Sequence, residues 1–168
     1  TMQHNFLDFI DVPDYGCLRD KRTVQFPLER TTAIQDNIWR IGGFRGWYFG
    51  NWLWRIRGLL DKVVGGVGLR RGRRSPTDLK AGDSLDFWRV IMADEKSHRL
   101  LLYAEMKLPG EAWLEFRIKE GSESNALIQT ATFRPLGLWG RIYWYMLLPF
   151  HAIIFPKMAK GIVEHRES

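Results

Sequence analysis

Few residues in this 168-residue chain have side chains suited to chemistry, and their spacing decides what chemistry is open to them. A carboxylate and an imidazole are the natural acid–base pair: Asp86 lies beside Trp88 in the run DFWRV, and His151 lies midway along an apolar stretch near the end. Gln129, in IQTATF, adds an amide, and Tyr145, in IYWYM, a phenol. Each has a plainer reading. Asp86 pairs with an arginine such as Arg45 or Arg55 and is structural. His151 is a satisfied core histidine and not a general base. Tyr145, like Tyr143, packs a helix. The chain carries no triad and no paired-carboxylate signature. Its four histidines, His4, His98, His151 and His165, never recur at the four-residue spacing of a helical metal site. The single cysteine, Cys17, excludes an internal disulfide and permits a reducing compartment. The expectation is therefore no catalytic residue, no metal and no cofactor, and no enzyme in this domain by itself.

Anion chemistry is the other possibility. Arg70, Arg71, Arg73 and Arg74 crowd the end of a glycine-rich loop, and the net charge of the chain is +6. Such a cluster holds a phosphate or carboxylate by paired hydrogen bonds. It also supports weak contact with an anionic membrane, about 1 kcal/mol per basic residue. The bland alternative is a solvated basic loop. The loop is not a dinucleotide site: in GGVGLRRG the third glycine of G-x-G-x-x-G would be Arg71. It follows a helical pattern, whereas that motif needs strand then helix. Specific nucleic-acid binding is not expected either, because the nearby aromatics fall at helical spacing and read as core.

These side chains need elements to hold them. Nine of 16 glycines lie between Gly42 and Gly72, and four of eight tryptophans between Trp39 and Trp54. Glycine permits close backbone approach and tryptophan supplies large apolar surface, which together suggest a built lip or lid. Residues 1–22 read as an irregular arm and 23–165 as one domain. TVQFPL, Thr23 to Leu28, reads as a short strand. Ala33, Ile34, Ile38 and Ile41 recur at helical spacing, and Trp52, Ile56, Leu59, Leu60 and Val63 form the stripe of a second helix over about 51–64. Four strand-like runs follow, Leu85 to Met92, Arg99 to Lys107, Ala112 to Lys119 and Ala126 to Arg134, with breaks short enough for hairpins. Alternation leaves the face of Asp86 open, since each face of its run holds one charge. The reading adopted here turns Asp86 and Trp88 inward. On the last strand Gln129, Ala131 and Phe133 face in, with Thr130, Thr132 and Arg134 wet. A long apolar helix from about Leu138 to Glu164, kinked or interrupted near Pro149 and Pro156, ends the chain. Its uncharged run of 15 residues is shorter than the roughly 20 needed to span a bilayer, so it is read as buried against the sheet. No signal-peptide pattern opens the chain, and a cytoplasmic protein is expected.

This order predicts an α+β fold: a curved antiparallel sheet wrapped around a long C-terminal helix. It resembles the helix-grip fold of START-type lipid-transfer domains, polyketide cyclases and the birch-pollen-allergen group. The blocks IGGFRGWYFGNWLWRIRGLLDKVVGGVGLRRGRR, GDSLDFWRV, AEMKLPGEAWLEF and QTATFRPLGLWGRIYWYMLLPFHAIIF resemble, more narrowly, a bacterial family of unknown function, over about residues 23–162. Members of that family occur alone or behind a short-chain-dehydrogenase-type NAD(P)-binding domain. The resemblance thus implies an NAD(P)-dependent reductase as a partner in relatives, and it brings no catalytic residues.

Three functions fit. The first is a module binding a hydrophobic small molecule between sheet and final helix, with Asp86, Trp88, Gln129, Tyr145 and His151 as the candidate contacts. The second is a cyclase- or dehydratase-like enzyme using Asp86 and His151 as acid and base. The third is an interaction domain that meets a reductase or a membrane through the arginine loop.

Overall fold

The first strand, β1 (Leu18–Pro27), starts five residues before the point at which hydrophobicity signals a strand. Its leading half, LRDKR, is charged, and so it reads as an arm. It is nonetheless paired along its whole length with the last strand, from Leu18↔Phe133 to Pro27↔Ser124. The computed structural model describes residues 16–42, 47–48, 55–56, 59, 63, 73–86, 88–105 and 108–166.

After β1 come a short 3-10 turn, Leu28–Arg30, and helix α1 (Thr31–Trp39), which buries Ile34 and Ile38. Then follow β2 (Ser84–Leu85), β3 (Trp88–Asp94), β4 (Arg99–Ala104), β5 (Gly110–Lys119), β6 (Ser124–Pro135) and helix α2 (Gly137–Glu164). The six strands form one antiparallel sheet in the order β1-β6-β5-β4-β3-β2. Consecutive strands are hairpin neighbours, as the short loops require. The exception is β1, which closes the far edge against β6.

One face of this sheet packs on the helices. Leu100, Leu102, Leu114, Phe116 and Leu127 meet Ile34 and Ile38 of α1 and Phe155, Met158 and Ile162 of α2 in a single core. The α+β class and the sheet-and-helix arrangement are those expected from the sequence.

Helix α2 departs from expectation in two ways. It is not interrupted: Pro149 and Pro156 both lie inside one 28-residue helix. And it is not buried all round. Its inward residues Gly140, Trp144, Phe155, Met158, Ala159 and Ile162 are covered, while Trp139 and Met146 are 77% and 69% exposed. By length and composition α2 could cross a membrane. Its inner face is instead part of the core, as in a soluble sheet-and-helix domain. Of the second expected helix, Arg55, Ile56, Leu59 and Val63 are helical, but the apolar three are exposed and do not enter the core. Its remaining residues lie outside those described.

The C-terminal end of α2 is tied to α1. Asn37 Nδ2 donates to Ile162 O at 2.9 Å and His165 O at 3.1 Å, and Arg30 Nη2 donates to Val163 O at 2.6 Å. These bonds satisfy carbonyls that a helix end leaves without partners. The opposite end is held by close approach: Leu136 N donates to Pro109 O at 2.9 Å, and a Cβ on Gly140 would fall 2.4 Å from that same oxygen. Between these two anchors α2 bridges the sheet and leaves a space.

Candidate functional site

That space is a cavity of about 270 Å³. Its floor is the inner face of β5 and β6, with Ala112, Leu114, Ala131 and Phe133. Small residues at positions 112 and 131 keep the floor low. Its roof is α2, through Tyr143, Trp144, Leu147 and His151. Trp88, Leu108 and Phe155 line it as well.

The wall is aromatic and continuous. Phe133 stacks on Trp144 at a centroid separation of 5.9 Å with planes 6° apart. Trp144 meets His151 edge-on at 5.3 Å, and His151 stacks on Phe155 at 4.5 Å. The imidazole is thus inserted into a row of rings. Its Nδ1 is buried and has no hydrogen-bond partner. Burial holds its pKa below the usual histidine value of 6.5, opposed by the negative charge of Asp20. His151 is neutral at pH 7 for this reason, with one ring nitrogen open to a bond that the protein itself does not supply.

The expected site residues separate. Trp88 and His151 come together at the cavity. Gln129 faces inward, 1% exposed, and its Nε2 donates to Phe155 O at 3.3 Å, while its Oε1 has no partner. It supports the roof without lining the space. Tyr145 is on the outer face of α2, 60% exposed, and the tyrosine at the cavity is Tyr143. A helix turns about 100° per residue, so two positions separate the inner face from the outer.

Asp86 is buried but outside the cavity. β2 and β3 pair Leu85 with Trp88, so the chain reverses within two residues, and Asp86 takes a positive φ of 55°. Strand alternation therefore does not apply to it. Its Oδ2 accepts from Trp47 Nε1 at 3.0 Å, and Trp47 lies 6.2 Å from Trp88. The acid–base pair of Asp86 and His151 is not assembled. Arg45 is outside the described residues.

Arg73 and Arg74 also have other work than an exposed anion patch. Arg73 is half-buried. It donates to Ile41 O at 2.6 Å, Trp39 O at 2.8 Å and Asp78 O at 3.1 Å, and to Ser75 O. It braces the end of α1 against the chain entering β2. Burial draws its pKa down, and the charge of Asp86 opposes that. Arg74 is exposed but engaged by Asp83 at 2.9 Å and Asp78 at 3.3 Å. Arg70 and Arg71 lie outside the described residues. Among the described residues no group of three or more His, Cys, Asp or Glu could hold a metal ion.

Sequence reasoning missed Asp20 and Arg22. They lie on the inward side of β1, where Arg22 Nε and Nη2 grip Asp20 at 2.7 and 3.1 Å. Asp20 is the carboxylate whose field reaches His151. The signal was the two-residue period of LRDKRTVQF, masked by charge. Thr132, expected on the wet face, is buried.

Residues 16–158 match the family described as Protein of unknown function (DUF2867). The chain belongs to that family. No curated protein matches it. Among solved structures, the DUF2867 chain is similar to a protein of Thermobifida fusca determined by solution NMR, at 14% identity, 91% coverage of this chain, 98% of that one and a TM-score of 0.50. It is also similar to truncated norcoclaurine synthase of Thalictrum flavum, at 10% identity, 92% and 100% coverage and TM-score 0.45. Major latex-like protein 151 of Panax ginseng gives 12% identity, 90% and 99% coverage and TM-score 0.46. At these identities the likeness concerns the fold alone; it is the six-stranded antiparallel sheet and long C-terminal helix of this DUF2867 domain that make its fold one of the helix-grip type.

Proposed function

We propose that this domain binds an apolar small molecule, or the apolar part of an amphipathic one, between the β5–β6 floor and α2, with neutral His151 as the polar contact. The observation that carries this reading is a lined space with a single orphaned imidazole nitrogen at its wall. Interiors normally pack without such voids, and buried polar atoms normally find partners. A volume of about 270 Å³ is just below the range of small-molecule pockets, about 300–1,000 Å³, so the ligand is compact. A hydroxyl or carbonyl on an otherwise hydrocarbon skeleton satisfies His151 and matches the rings.

The test is to fill the cavity. Ala112→Leu and Ala131→Leu place extra carbon on the floor. Native mass spectrometry of freshly purified protein, followed by titration with a hydrophobic fluorophore, is expected to show a bound molecule in the wild type and loss of uptake in the filled variants. Trp88→Ala is expected to weaken uptake more than it lowers the denaturation midpoint. If Trp88 is only packing, its removal costs about 3–5 kcal/mol and the domain unfolds first. A wild type that takes up nothing, or filled variants that bind as well as it does, rejects the reading.

A further inference from the structure

Helix α2 is apolar on the side that faces away from the protein. Leu138, Trp139, Ile142, Tyr145, Met146 and, two turns further on, Ile153 fall on one side of the helix and are all exposed. They share one stripe, about 22 Å long at 1.5 Å rise per residue. A soluble helix normally turns polar side chains outward, and contiguous apolar surface of this extent marks an interaction site.

The rim of the stripe identifies what covers it. Arg141 flanks it, and Lys157 and Lys160 follow it on the next turns. Within α2 three basic residues, Arg141, Lys157 and Lys160, stand against one acidic residue, Glu164, which lies 3.7 Å from Lys160 at the far end of the helix. We infer that the outer face of α2 rests on an anionic lipid surface, with the stripe entering the acyl boundary and the cations meeting headgroups. Trp139 and Tyr145 suit that boundary, having apolar rings with one polar end. A second copy of the chain fits less well, because symmetric pairing of this face joins two rims that are each net basic. Spanning the bilayer is excluded by the other side of the helix, since Phe155, Met158, Ala159 and Ile162 are fixed in the core. The helix therefore lies in the plane of the surface. This contact involves α2, not the arginine loop, and it stands whether or not the cavity holds a ligand.

Vesicle co-sedimentation tests it, using phosphatidylcholine alone and phosphatidylcholine mixed with equal phosphatidylglycerol. Wild-type protein is expected to pellet with the mixed vesicles and to be released in part by high salt, as screening predicts. Trp139→Glu/Met146→Glu changes two exposed side chains. It is expected to lower binding by about tenfold or more while the thermal midpoint stays unchanged. Trp139→Leu is expected to retain binding, and Arg141→Gln/Lys160→Gln to lose the preference for anionic vesicles. No binding by the wild type overturns the inference, as does undiminished binding by the glutamate variant. Sedimentation velocity showing a dimer that the glutamate variant abolishes overturns it in favour of a second copy.

Discussion

His151 is held by rings, and this sets how the protein responds to acid. Its folded pKa is lowered by burial, so the folded state resists the proton that the unfolded state accepts. Above the unfolded value of 6.5 the imidazole is neutral in both states and its titration contributes no penalty. As pH falls below that value, the unfolded state gains a proton and stability declines, by up to about 1.4 kcal/mol per pH unit, until the folded imidazole also titrates. His151→Phe keeps a ring in the stack. The variant is expected to lose less stability than the wild type between about pH 7.5 and pH 5.5, measured by urea denaturation. An equal loss in both proteins would place the acid sensitivity elsewhere than in the ring stack around His151. Arg73 makes a similar point about environment. Four arginines in a loop look alike in sequence, yet one of them ends half-buried among four carbonyls.

At the scale of elements, the first turn of α2 is positioned by a missing side chain. Gly140 allows the helix to approach Pro109 and Pro135, where a Cβ would meet backbone at 2.4 and 2.8 Å. Backbone cannot move aside as a flexible side chain can. Gly140→Ala is expected to cost about 1–3 kcal/mol despite the better helix propensity of alanine, and the denaturation midpoint measures it. The strands from β3 to β6 and both ends of α2 were legible, because period-two alternation, turn residues and a long apolar run survive in the sequence. So were Trp88 and His151 as wall residues. The start of β1 was not, because an edge strand carrying charge imitates a loop. Nor was the position of Asp86, which depends on a two-residue reversal with positive φ that looks like continuing strand. Tyr145 and Tyr143 differ only in helical phase, and in a helix apolar on all sides the sequence offers no polar face to fix that phase.

At the scale of the whole molecule, the edge strands among the described residues are β2, whose Leu85 is bridged by Arg73, and β1, the longer of the two. Its inward Asp20 and Arg22 serve as a guard, since charge pointing into a would-be interface discourages pairing with a stranger. Asp20→Val/Arg22→Val is expected to raise the aggregated fraction on refolding, read by light scattering, even where the native state is no less stable. The guard matters most during synthesis. β1 emerges before its partner β6, which begins about a hundred residues later in the chain. At about 5–20 residues per second the ribosome leaves that strand without its neighbour for roughly 5–25 seconds. The pair of charges that contributes little to the finished core is thus best understood by its timing: it keeps a nascent strand soluble until the hairpin that will receive it has been made.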